Sequence, residues 1–85
     1  MSDISQAITI PDKPQTLVSS SSVLGYSYNE QTYELFVWFR GKGKAQPVYR
    51  YLMVYPPMFS SIFGSGQGIG KRISQLKNLP KMKLR

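Results

Sequence analysis

The sequence predicts a small α+β domain: an antiparallel β-sheet of at least three strands, one short helix packed on it, and a flexible basic C-terminal tail. Three observations carry that prediction. Residues 33–40 (Tyr33, Glu34, Leu35, Phe36, Val37, Trp38, Phe39, Arg40) concentrate β-branched and aromatic side chains in period-two alternation, as a central strand requires. Residues 23–28 and 48–52 repeat the alternation more weakly on either side of it. Between residues 55 and 64, Met58 with Ile62 and Phe59 with Phe63 recur at i and i+4, the spacing of one helical face.

Each element has a local reason. In the central strand Leu35, Val37 and Phe39 share one face, and Phe36, Trp38 and Arg40 share the other, because successive strand side chains point to opposite sides. Serines at 19–22 precede the first strand, where hydroxyls bond local backbone groups. Residues 29–31 form the turn, and Asn29 favours a tight reversal that pairs the first strand with the central one. Gly41, Lys42, Gly43 and Lys44, followed by Ala45, Gln46 and Pro47, make the next loop. Pro56 and Pro57 suit a helical first turn, and Gly64 is the expected stop. Further on, Ile69, Ile73 and Leu76 fall at i, i+4 and i+7 of a short basic amphipathic helix that Pro80 ends.

The organisation expected is an extended N-terminal arm over residues 1–17, a β-rich domain over 18–73 and a basic tail over 74–85. Eighty-five residues bury only about 60–65% of their unfolded surface, which leaves no interdomain cleft for a small-molecule substrate. The arm, which reads as either a flexible segment or an edge strand, carries an apolar patch that includes Ile8 and Ile10, followed by Pro11 and Pro14. It lacks the basic and then apolar order of a secretory leader, and no apolar run approaches membrane-spanning length. With no cysteine there is neither a disulfide framework nor a thiolate metal site, and a cytoplasmic location is the expectation, in a host cytoplasm if the chain is phage-encoded.

Charge is distributed one-sidedly. The net charge is +7, yet all four acids (Asp3, Asp12, Glu30, Glu34) lie in the first 34 residues with a single base, Lys13. The remaining chain carries ten Lys or Arg and no acid, a field that favours a polyanionic partner. Catalysis is not expected, since a chain without His or Cys and with so few carboxylates cannot assemble the usual nucleophile–base pairs, metal ligand sets or carboxylate dyads. The glycine-rich segment before Lys71 is not a phosphate-binding P-loop: Ser65 stands where the first glycine belongs, and Arg72 replaces the magnesium-binding hydroxyl. No cofactor is expected.

Several features in order (Val18 with Ser19, Ser20 and Ser21; Gly25 with Tyr26; Leu35, Val37 and Phe39; Tyr49 and Tyr51; Val54 with Pro56 and Pro57; a glycine-rich segment before Ile73) resemble the KTSC domain family. That family is named for its occurrence at the C-terminus of some lysyl-tRNA synthetases. The resemblance implies a small β-rich module with a helix, of a kind found free-standing in bacteria and phages, and its link to a tRNA enzyme suggests RNA by analogy. The chain departs from the family's pattern at residues 41–47, where the turn is expanded with lysines, and after Gly66, where the segment is smaller and more basic.

The expected function is therefore a non-catalytic basic module that binds nucleic acid, with RNA or single strands preferred. Arg40, Lys42, Lys44, Arg50, Lys71 and Arg72 are the expected phosphate contacts, with Trp38 the stacking residue if the face of Phe36 and Trp38 is open; if a second layer covers that face, both are structural. The alternative is a phage-type regulator that docks on a nucleic-acid machine such as RNA polymerase, using Ile8 and Ile10 of the arm together with a sheet edge.

Overall fold

Among the described residues, five strands follow one another in chain order and pair antiparallel with their sequence neighbours: β1 (Thr16–Leu17), β2 (Val23–Asn29), β3 (Glu34–Phe39), β4 (Val48–Tyr51) and β5 (Lys81–Lys83). The computed structural model describes residues 13–41 and 46–84. Helix α1 (Pro56–Phe63), the single turn α2 (Ile69–Arg72) and a 3-10 segment (Ile73–Asn78) lie between β4 and β5. The α+β architecture expected from the alternation and the helical stripe is the one observed. Among the described residues, no helix is long and apolar enough to cross a membrane.

The β2–β3 turn is built by Asn29, whose Oδ1 accepts hydrogen bonds from the backbone N–H of Gln31 at 2.9 Å and of Thr32 at 3.3 Å. It closes at Tyr33, whose φ of 61° is left-handed. Met53, just after β4, is also left-handed at φ 63°. Such a conformation costs a non-glycine residue about 1–2 kcal/mol, and the surrounding hydrogen bonds hold the two segments together. Val54 N–H donates to the Tyr33 carbonyl at 2.9 Å, and the Tyr28 hydroxyl donates to the Val54 carbonyl at 2.5 Å.

The two faces of the sheet carry different cores. Leu35 and Val37 of β3 point toward the helices, where they pack with Val23, Tyr51, Val54, Ile62, Phe63, Ile69 and Leu76. Each fully buried aliphatic side chain there contributes about 1.5–3 kcal/mol. Helix α1 is seated by aromatic contacts on β2: Phe59 stacks on Tyr28 with ring centroids 4.1 Å apart, and Phe63 lies 4.2 Å from Tyr26. Pro56 and Pro57 open this helix without a side-chain cap, because prolines have no N–H to leave unpaired in the first turn. Gly68, at φ 66°, opens α2 in a left-handed conformation that favours glycine. Ile69, Ile73 and Leu76 face inward as their spacing predicts, but along one α-turn and a 3-10 segment rather than one continuous helix.

On the opposite face Phe36, Trp38 and Val48 form a second cluster with Leu24 and Leu84. A bulge between Val23 and Gly25 puts β2 out of simple alternation. Val23 opposes Phe39 and Tyr26 opposes Val37, so both face the helices, while Leu24 joins the second cluster. Gly25 lies beneath the incoming chain: a Cβ there would stand 2.5 Å from the Thr16 carbonyl oxygen and 2.8 Å from Pro14 Cβ, so only glycine admits β1.

Thr16 and Leu17, the end of the segment expected as an arm or an edge strand, pair with Tyr26 and Gly25 as β1 at one edge of the sheet. One expectation is corrected. Lys81, Met82 and Lys83, read as part of a flexible tail, pair with Tyr51, Arg50 and Tyr49 as β5. The pairing is extended by the Leu52 N–H bond to the Pro80 carbonyl at 2.9 Å and the Leu84 N–H bond to the Val48 carbonyl at 2.7 Å. The open edge of β4 supplies the backbone partners that a lysine-rich segment does not advertise by its composition.

Candidate nucleic-acid interface

The expected stacking residue is not at the surface. Trp38 is 2% exposed within the second cluster, and among the described residues its indole Nε1 has no hydrogen-bond acceptor. The correction has a simple cause: the face that carries Phe36 and Trp38 is itself apolar, so the sheet is buried on both sides around β3.

Arg50 is likewise engaged. It donates from both Nε and Nη2 to Glu34 Oε2 across the sheet, the Nε bond being 2.6 Å, with both side chains largely buried. Burial alone would raise the Glu34 carboxyl pKa, but hydrogen bonds from Thr32 and Arg50 and the guanidinium charge outweigh it, and the group is held below the usual glutamate range. The ionised form is thus favoured by the fold. Its stabilising contribution is complete at neutral pH, and it is lost as the pH falls below about 4.3 and through the depressed folded value. Urea titrations of the parent and Glu34→Gln proteins between pH 7 and pH 3 should show a stability gap that narrows as the pH falls.

Three other expected contacts are at the surface. Arg40 is exposed, and its Nε donates to the Ser20 carbonyl at 2.8 Å. Lys71 and Arg72 are exposed on α2, where Arg72 Nη1 donates to the Ser61 carbonyl at 3.0 Å. Lys42, Lys44, Ile8 and Ile10 lie outside the described residues. Among the described residues, Arg40 and α2 both border the serine segment, since Gly70 lies against Ser20 and Ser22, but Trp38 and Arg50 are engaged within the fold and are not presented beside them.

A different set does converge. On the helix side of the sheet, an open groove of about 360 Å³ is bordered by Phe39, Pro47, Tyr49, Tyr51, Lys81 and Lys83. Phe39 and Tyr49 meet edge to face with centroids 5.6 Å apart, and Tyr49 and Tyr51 lie 6.2 Å apart with their planes 25° from parallel. Tyr51 is buried and forms the floor, whereas Phe39 and Tyr49 are half-buried and present ring surface. Burial, reinforced by Tyr49, raises the Tyr51 hydroxyl pKa, so the floor is uncharged at neutral pH. Lys81 and Lys83 are exposed, and neither makes an ion pair among the described residues.

The groove follows from the β4–β5 register, which sets Lys83 opposite Tyr49 and Lys81 opposite Tyr51. Antiparallel partners carry their side chains on the same face, so each tyrosine is flanked by one lysine. Sequence reasoning missed these residues as a site. The available signal was the period-two repetition within each pair, Tyr49 with Tyr51 and Lys81 with Lys83, but two segments 30 residues apart give no local sign that they are neighbours. Chemically, the arrangement offers aromatic surface beside exposed ammonium groups. Among the described residues no group of three or more His, Cys, Asp or Glu side chains is placed to hold a metal ion.

A scan against protein-family models finds no match for this chain, and a search of curated proteins finds no relative.

Proposed function

We propose that this protein is a non-catalytic, cytoplasmic binding module for single-stranded nucleic acid, and that the β4–β5 groove is its contact surface. The observation that carries the reading is the Tyr49–Lys83 and Tyr51–Lys81 pairing, which sets aromatic rings beside exposed lysines on one open face. Proteins that take single strands combine a positive track for the backbone with aromatic side chains on which bases stack. A duplex keeps its base faces stacked inside and offers phosphates and groove edges but no face for an aromatic ring to stack on. The chain's acid-free stretch beyond Glu34 supplies the long-range field that draws the polyanion in. Arg40, Lys71, Arg72 and the loop that holds Lys42 and Lys44 contribute to this field rather than to stacking.

Fluorescence anisotropy with labelled oligouridylate, oligothymidylate and a duplex of equal length tests the proposal. Single strands should bind more tightly than the duplex at physiological salt. Tyr49→Ala should weaken single-strand binding by about 1–3 kcal/mol, roughly 5- to 150-fold, and, because the ring also packs on Phe39 and Tyr51, it should lower the melting temperature while the variant stays folded at the assay temperature. Equal affinity for all three ligands, or an unchanged affinity in Tyr49→Ala, would overturn it.

A further inference from the structure

We infer that the groove reads the sugar–phosphate backbone in register with β5, with one phosphate per lysine, so that it holds two consecutive nucleotides of an extended strand. The inference rests on the binding surface proposed above and specifies how the ligand lies in it. Along an antiparallel strand, residues two apart on one face are separated by about 6.8 Å. Lys81 and Lys83 stand at that repeat, as do their partners Tyr51 and Tyr49. A nucleotide has twice as many backbone bonds as an amino-acid residue, so an extended nucleic-acid strand advances one phosphate for about every two strand residues. Stacked nucleotides in a B-form strand rise by only about 3.4 Å each. The two lysines therefore match successive phosphates of a strand drawn out along β5, with its bases turned inward over Tyr49 and Phe39. Between the two lysines Met82 projects to the other face, so no intervening side chain competes for the track.

This geometry assigns a separate phosphate to each lysine. For single strands the logarithm of affinity falls with the logarithm of salt by about 0.7 per phosphate contacted. Salt titrations with oligouridylate and oligothymidylate should show Lys81→Gln and Lys83→Gln each lowering the slope magnitude by about 0.7, and the double variant by about 1.4. Lys81→Arg with Lys83→Arg should restore it. Lys77→Gln, an exposed residue that does not border the groove, is the control and should leave the slope unchanged. Thermal melts of all variants check that β5 remains paired. If the parent binds single strands but the two glutamine variants leave the slope unaltered, or the double variant loses no more than either single one, the register is wrong while the binding surface stands. If the parent binds neither oligonucleotide, both conclusions fall.

Discussion

Trp38→Ala is expected to unfold the domain or bring it close to unfolding. Removing a buried tryptophan side chain costs about 3–5 kcal/mol through lost transfer energy and the cavity left behind. A chain of 85 residues has a total stability of only about 4–13 kcal/mol. Trp38 sits at 2% exposure against Phe36, Val48, Leu24 and Leu84, so the loss falls where few neighbours can collapse to fill it. Trp38→Phe should behave differently. It keeps most of the ring volume and removes an indole N–H that has no acceptor among the described residues, a group whose burial unpaired costs about 1–3 kcal/mol. The phenylalanine variant should therefore lie within about 1 kcal/mol of the parent in urea unfolding, since the lost volume and the relieved N–H offset one another. Full stability in Trp38→Ala together with lost nucleic-acid binding would show instead that the indole is a surface platform.

Deleting residues 81–85 has the second-largest expected effect. A mobile tail would come off without consequence. As β5 it carries the backbone bonds to β4, and Leu84 adds apolar contact with the Phe36–Trp38–Val48 cluster. Backbone bonds contribute about 1 kcal/mol each in net terms, less the entropy regained by the freed residues, so the truncated chain should lose on the order of 2–4 kcal/mol. Urea unfolding of chains ending at residues 80 and 85 makes the comparison. The truncation should also abolish single-strand binding, because Lys81 and Lys83 leave together with the strand that holds them. An unchanged unfolding midpoint would return these residues to the status of a tail.

The two effects have a common origin in the breadth of the sheet. Burial of β3 on both faces makes Trp38 structural, and that leaves the role of exposed aromatic to the flank of the sheet, where β4 and β5 extend beyond the helices. The same widening brings Glu34 and Arg50 together across β3 and β4, which removes Arg50 from the free cations and leaves Lys81 and Lys83 as the lysines beside aromatic rings.

How much of this was legible in the residues depends on the range of the interaction. The α+β class, the split of Leu35 and Val37 from Phe36 and Trp38 between two faces, the helix ahead of Gly64 and the inward spacing of Ile69, Ile73 and Leu76 can be read along the chain, as can the long acid-free stretch. Apart from that stretch, which is composition, they follow from local periodicity, and periodicity is a property of neighbours along the chain. The burial of both faces of β3, the bulge that sets Val23 and Tyr26 on one side, the meeting of Arg50 with Glu34 and the place of Lys81 and Lys83 opposite Tyr51 and Tyr49 emerge from the folded arrangement. Each of these depends on which segment lies beside which, and that choice belongs to backbone pairing and packing across the whole chain, where short lysine-rich segments carry no signal of their own.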